Sequence, residues 1–246
     1  MCKNKSRNSF CAVLSLIICI SMAVPAFGET PKIENPISGY ESVAEASKGR
    51  ASDVIAIAKT QEGYKGVIYN KGMDNEKRYS YFSNVWDPEL AKANESNIGH
   101  WCSEFVSWCL VQAKVPGAKP LVSVTAWRNY YKDSLYKMYA SAENASIEKE
   151  THADVVENWF TGFQSNGTLK LKDLKEGDIL LILTDKRLAG GTRAPHHTAI
   201  FDHYSGNEVF VIDGNVKANK SSSQVRVYGK YEAREVICVI RPHYNQ

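Results

Sequence analysis

Gly99-His100-Trp101-Cys102-Ser103-Glu104-Phe105-Val106-Ser107-Trp108-Cys109-Leu110 reads as an amphipathic helix with a thiol at its entrance. At about 100° per residue, Cys102, Phe105, Val106, Cys109, Leu110 and Ala113 share one face, and Ser103, Glu104, Ser107 and Gln112 flank it. Gly99 and the polar run Asn94-Glu95-Ser96-Asn97 interrupt any earlier helix, which places Cys102 in or near the first turn. Unpaired backbone N–H groups and the positive end of the helix dipole favour a thiolate there. Cys102 is therefore a candidate nucleophile, or else a buried core thiol. Cys109, deeper in the stripe, reads as core. Seven residues of helix separate the two by about 10 Å, beyond the roughly 7 Å that a disulfide spans.

About a hundred residues downstream, Pro195-His196-His197-Thr198-Ala199-Ile200-Phe201 opens an apolar strand, and Val209-Phe210-Val211-Ile212-Asp213-Gly214-Asn215 closes another. Cys, His and an acid or amide thus occur in that order.

Residues 1–28 have the pattern of a secretory signal peptide. Lys3, Lys5 and Arg7 form a basic start, Phe10 to Val24 an apolar core, and Ala26-Phe27-Gly28 a small-residue cleavage site. The apolar core, about 15 residues, is short of the roughly 20 that a spanning helix needs. The expected mature chain begins near Glu29, outside the cytoplasm and without a transmembrane segment. The whole chain has 30 Lys and Arg against 27 Asp and Glu. Losing the three leader cations makes the mature charge zero, which removes any general pull toward nucleic acid. Cys2, Cys11 and Cys19 leave as well, so Cys102, Cys109 and Cys238 remain, an odd set that argues against a disulfide scaffold.

Residues 29–50, with Pro31, Pro36, Gly39 and Gly49, read as a linker, and 51–246 as the folded domain. Ser52 is a possible N-cap for a helix bearing Val54, Ile57, Ala58 and Gln61, stopped by Gly63 and packed on the Cys102 helix. Tyr64, Tyr69, Tyr79, Tyr81, Phe82 and Trp86 line a groove or cover the core edge. Val124 to Tyr131 suggests a short helix, and Val155, Val156, Trp159, Phe160 and Phe163 another. His152 and His243 read as surface residues.

From Lys175 the period changes. Gly177–Leu183, His197–Tyr204, Glu208–Asp213, Gln224–Tyr228 and Glu235–Ile240 read as strands separated by turns. Helices followed by an antiparallel sheet make an α+β domain. His197 shares a strand face with Ala199 and Phe201, His196 with Thr198 and Ile200, and periodicity alone does not choose between them. Asp213 ends the apolar face of Val209 and Val211, either as a buried acid that needs a partner such as imidazole or as an Asx turn with Gly214.

Trp101-Cys102-Ser103-Glu104-Phe105-Val106-Ser107-Trp108, Glu176-Gly177-Asp178-Ile179, His197-Thr198-Ala199-Ile200 and Ile212-Asp213-Gly214-Asn215 resemble, in order and spacing, the CHAP (cysteine, histidine-dependent amidohydrolase/peptidase) domains, papain-like relatives of the NlpC-type cell-wall peptidases. The match covers roughly residues 52 to 242. The segment of about 118–172 is longer than the family core, Thr198-Ala199 stands where Val-Gly is commoner, and Asp213 stands where Glu is common. The resemblance implies a papain-like fold of N-terminal helices on a bent antiparallel sheet. It makes Cys102 the nucleophile, His197 the general base and acid, and Asp213 with Asn215 the orienting pair. It further implies a secreted amidase or endopeptidase acting on bacterial peptidoglycan. Such thiol chemistry needs no cofactor and no metal, and Asp74-Asn75-Glu76 is a poor calcium signal. The alternatives are acyl transfer on the same site and a catalytically degenerate wall-binding module.

Overall fold

Ile179-Leu180-Leu181-Ile182 is apolar at every position because the sheet that contains it is covered on both faces. Ile179 and Leu181 face a core filled by helices, while Leu180 and Ile182 face a second core closed by Leu169, Leu171, Leu174 and Ala233. The computed structural model describes residues 32–69, 77–84, 86, 101–131, 135–138, 141–142, 168–183, 195–219 and 221–246. In chain order the described elements are α1 (Tyr40–Ala46), α2 (Ala51–Thr60), β1 (Lys65–Tyr69), β2 (Lys77–Tyr79), α3 (Tyr81–Asn84), α4 (Cys102–Gln112) and α5 (Val124–Tyr131). The strands β3 (Leu135–Met138), β4 (Ser141–Ala142), β5 (Thr168–Leu169), β6 (Ile179–Ile182), β7 (His197–Ser205), β8 (Glu208–Lys217), β9 (Ser222–Glu232) and β10 (Val236–Arg241) follow. Eight strands form one antiparallel sheet in the order β2-β1-β9-β8-β7-β6-β10-β3, and β4 and β5 pair separately in parallel. The architecture is α+β, with α2 and α4 packed on the helix-facing side of the sheet.

The entrance of α4 is fixed by an indole. Trp101, at the N-cap and fully buried, donates Nε1–H to Ser223 Oγ at 3.0 Å and lies against Gly66 of β1 and Gly214 of β8. A Cβ on Gly214 would stand 2.6 Å from Trp101 Cζ3, and one on Gly66 3.0 Å from Trp101 Nε1. Tyr64, Phe82, Phe105 and Trp108 pack edge-on or tilted around the same ring system. Tyr64 and Phe82 are thus core residues, and Tyr81 and Trp86 are partly buried against that core.

Two sequence expectations need correction. The stretch expected as a linker over 29–50 carries α1, and the body of the protein extends over Pro31–Gln246. Tyr40 packs on Trp108 at 4.9 Å, the Gln61 amide bonds both Ile37 N–H and Ile37 C=O, and Tyr64 donates to the Glu34 carbonyl. A seven-residue helix after a left-handed glycine, Gly39, is too short to show a period. The N-cap of α2 is Arg50, not Ser52. Asp53, three residues on, accepts from the backbone N–H groups of Lys48 and Arg50 and pairs with the Arg50 guanidinium at 2.8 Å, which holds its carboxyl down at about 2. That helix ends at Thr60 with Gln61 as its C-cap, and Gly63, expected as the stop, follows in the turn with φ 78°. Residues 1–28 and the expected helix over Val155 to Phe163 lie outside the described residues, as does His152; His243 is exposed.

Because the Trp101 ring fills the space where a side chain on Gly214 would start, Gly214→Ala should lower stability by about 1–3 kcal/mol through overpacking. Urea unfolding checks this: a lower midpoint at unchanged slope is expected, and an unchanged midpoint would show that the ring is not wedged there.

Candidate active site

Cys102 is the first residue of α4 and is buried, 1% exposed. Trp101 supplies no side-chain cap, so the first-turn N–H groups stay directed at the thiol end of the helix. Next to it, Ser103 Oγ and Thr198 Oγ1 share a hydrogen bond of 2.9 Å between two fully buried side chains, pinning α4 to the start of β7. The residue after the cysteine is thereby tied to the residue after His197.

Strand alternation then sorts the histidines. Ile200 and Ile212 pair across β7 and β8 and enter the helix-facing core, whereas Ala199, Phe201, Val209 and Val211 enter the other. One step past the Ile200–Ile212 pair sets Ala199 against Asp213, which makes His197 the diagonal neighbour of Asp213 on one face. His197 Nε2 donates to Asp213 Oδ2 at 2.9 Å. The ring also hydrogen-bonds the Cys102 thiol, and with Nε2 engaged by the carboxylate it is Nδ1 that faces the sulfur. Cys102, His197 and Asp213 thus form one line. Asn215, the second expected orienter, has its Oδ1 on Arg78 Nη1 at 3.3 Å, and its φ of 62° marks a bulge in β8. The Asx-turn reading of Asp213 does not hold, because β8 runs through it to Lys217.

Asp213 is 0% exposed, and a carboxylate there requires partners. Besides His197, its Oδ2 accepts from Arg226 Nη2 at 2.8 Å and Tyr231 OH at 2.9 Å, and its Oδ1 accepts from Arg226 Nε at 3.1 Å. Sequence reasoning does not single out Arg226 or Tyr231. The signal present is an Arg between two helix-facing residues, Val225 and Val227, which puts it on the face that carries Asp213.

The charges are coupled. Burial opposes a Cys102 thiolate, but the His197 charge and hydrogen bond, with the backbone N–H groups of Thr198 and Ser103, outweigh it and hold the thiol below its ordinary range. Burial likewise opposes the imidazolium, and Cys102 and Asp213 overcome it, so His197 titrates well above the usual imidazole range. Asp213 stays below the ordinary carboxylate range despite its burial because His197 and Arg226 face it. All these shifts run the same way, toward a thiolate, an imidazolium, a carboxylate and a guanidinium in alternating sign. Such a set can supply an activated nucleophile with its proton donor attached. Asp178, from the Glu176-Gly177-Asp178-Ile179 block, is structural: Arg241 holds it through two bonds of 2.7 Å.

Among the described residues no three His, Cys, Asp or Glu side chains come together as a metal site, and Asp74-Asn75-Glu76 lies outside them. No helix of the described residues is long and apolar enough to cross a membrane. Comparison of the chain with protein-family models, with curated proteins and with solved structures finds no match.

Glu104, half-buried two residues beyond the thiol, is pushed up to about 9, first by burial and then by the Cys102 thiolate. A carboxyl that binds its proton more tightly folded than unfolded adds stability at acid pH and loses it as pH rises from about 4.3 toward that folded value. Glu104→Gln, which keeps the neutral form, should therefore raise the Tm at pH 8 and leave it almost unchanged at pH 4. Equal Tm values for variant and wild type at pH 8 would contradict a protonated Glu104.

Proposed function

We propose that the protein is a peptidoglycan hydrolase with a papain-like CHAP fold, cutting amide or peptide bonds of the bacterial cell wall outside the cytoplasm. The observation that carries the reading is the polarised line Cys102–His197–Asp213 at the first turn of α4. Its support in the sequence is the order and spacing of the Cys, His and Asp-Gly-Asn blocks, together with the basic, apolar and small-residue succession over residues 1–28.

The chemistry follows from the charges. The Cys102 sulfur attacks the amide carbonyl carbon, and the carbonyl electron pair moves onto oxygen, where N–H groups at the start of α4 receive it. As the tetrahedral intermediate collapses, His197 gives its Nδ1 proton to the departing amine nitrogen, leaving a thioester on Cys102. The neutral imidazole then takes a proton from water, hydroxide attacks the thioester, and the acid product leaves as His197 and Cys102 recover the ion pair. Asp213 keeps the ring oriented and its charge matched throughout. An amine in place of water would give acyl transfer on the same thioester.

Mass spectrometry of purified peptidoglycan incubated with the protein tests this directly. New peptides or amines are expected with wild type, and products carrying an added amine would assign acyl transfer instead. Cys102→Ser should fold and lose at least about a thousandfold in rate, and His197→Ala about 10²–10⁴-fold, while His196→Ala should retain most activity. Cys109→Ser, in the core and fully buried, should cost stability and leave turnover largely intact. Wall binding without cleavage, unaffected by alkylation of Cys102, would replace the hydrolase with a binding module.

A further inference from the structure

We propose that Arg226 and Tyr231 are positioning residues that keep Asp213 ionised against His197 and so maintain the Cys102 thiolate, in a clamp that the glycine at 229 makes room for. The inference deepens the reading of the site as a thiol enzyme and rests on it for its functional meaning, but its test does not require turnover.

Asp213 Oδ2 is saturated by three donors, His197 Nε2, Arg226 Nη2 and Tyr231 OH, and Oδ1 takes Arg226 Nε. Arg226 Nη2 also reaches Tyr231 OH at 3.3 Å, and the Arg226 guanidinium carbon stands 5.6 Å from the Tyr231 ring centre. The fork is fixed from two sides. Its register is set by a bulge: Val211 pairs with Gly229 and Asp213 with Arg226, so two steps along β8 face three along β9, and Tyr228 absorbs the extra residue with φ 63°. A Cβ on Gly229 would lie 2.7 Å from Arg226 Nε, 2.8 Å from Arg226 Nη2 and 2.8 Å from Asp213 Oδ1. These three nearest atoms all belong to the clamp.

The physical chain runs outward from the arginine. Without Arg226 the buried carboxyl has lost the partner that offsets its desolvation, so it binds a proton more readily; a neutral Asp213 no longer stabilises the imidazolium, and the proton returns from His197 to sulfur. Losing the guanidinium charge itself acts in the same direction on the thiol. Among the described residues, Glu104 on α4 lies within the field of Cys102, and Arg78 on β2 bonds Asn215 beside the line. They are unchanged in the variants below and enter equally on both sides of each comparison.

The experiment is the pH dependence of Cys102 alkylation by iodoacetamide, read by intact-mass spectrometry in a Cys109→Ser, Cys238→Ser background, with near-ultraviolet circular dichroism as the check on folding. In the parent the rate should persist into mildly acid pH. Arg226→Met should move the acidic limb up by at least about one pH unit, a tenfold or greater loss of rate below the limb. Arg226→Lys should recover part of that shift, and Tyr231→Phe should give a smaller shift of the same sign. Gly229→Ala should reproduce the Arg226→Met direction with the fold kept, since the added methyl meets side-chain ends, and it serves if Arg226→Met fails to fold. In an Asp213→Asn background, Arg226→Met should add little. A limb that stays in place in folded Arg226→Met or Gly229→Ala overturns the clamp, and so does an Arg226→Met shift that is as large in the Asp213→Asn background as with Asp213 intact. A shifted limb in a protein that cleaves no wall bond would uphold the clamp and reject the hydrolase.

Discussion

The indole of Trp101 occupies a slot that exists only because two strands lack a Cβ there. Gly66 on β1 and Gly214 on β8 let the ring lie directly on the sheet, and Ser223 Oγ takes its N–H, so the residue before Cys102 is bound to three strands at once. An α-helix starting from such an anchor has its first turn fixed in position and direction. The Ser103–Thr198 hydrogen bond then fixes its rotation one residue further on. The thiol is left at the one end of α4 where unpaired N–H groups gather, beside the first residue of β7. Neither bond involves the reacting atoms, yet together they determine that Cys102 and His197 meet.

Much of this was legible. The apolar stripe from Cys102 to Ala113, the antiparallel strands and the end of an apolar face at Asp213 follow from periods of 3.6 and 2, which depend on local geometry alone; the choice of His197 over His196 does not, because a one-residue slip exchanges them. What was missed has a common cause. Gly214 and Gly229 read as the ends of strands, because glycine usually interrupts them; here β8 continues through Gly214 to Lys217 and β9 through Gly229 to Glu232. Both glycines mark close approaches, one to Trp101 and one to Arg226 and Asp213. Ending β9 at Tyr228 hid Tyr231, and without the bulge the Asp213–Arg226 pairing has the wrong register. A collision avoided in three dimensions leaves no trace in a one-dimensional alternation. The helix α1 escaped for a different reason. Its seven residues form two turns, too few to show a stripe, and Tyr40 finds its partner in Trp108, far along the chain.

Among the described residues, two fully buried aspartates are each gripped by a two-pronged arginine, and the difference between them lies in their third partner. Asp178 is fully buried just before β6, held by both arms of Arg241 and by the Lys175 N–H, and its carboxylate closes the sheet between β6 and β10. Asp213 is as deeply buried, and Arg226 grips it through both oxygens. In each case an unpaired buried carboxylate would cost several kcal/mol, and the bidentate arginine removes most of that cost. Asp178 turns its remaining acceptor capacity to a backbone N–H, which has no second protonation state. Asp213 turns it to Nε2 of His197, which does, and whose other nitrogen faces a thiol. A rigid ion pair thereby gains a third partner that can change its protonation state, while the first two hold still.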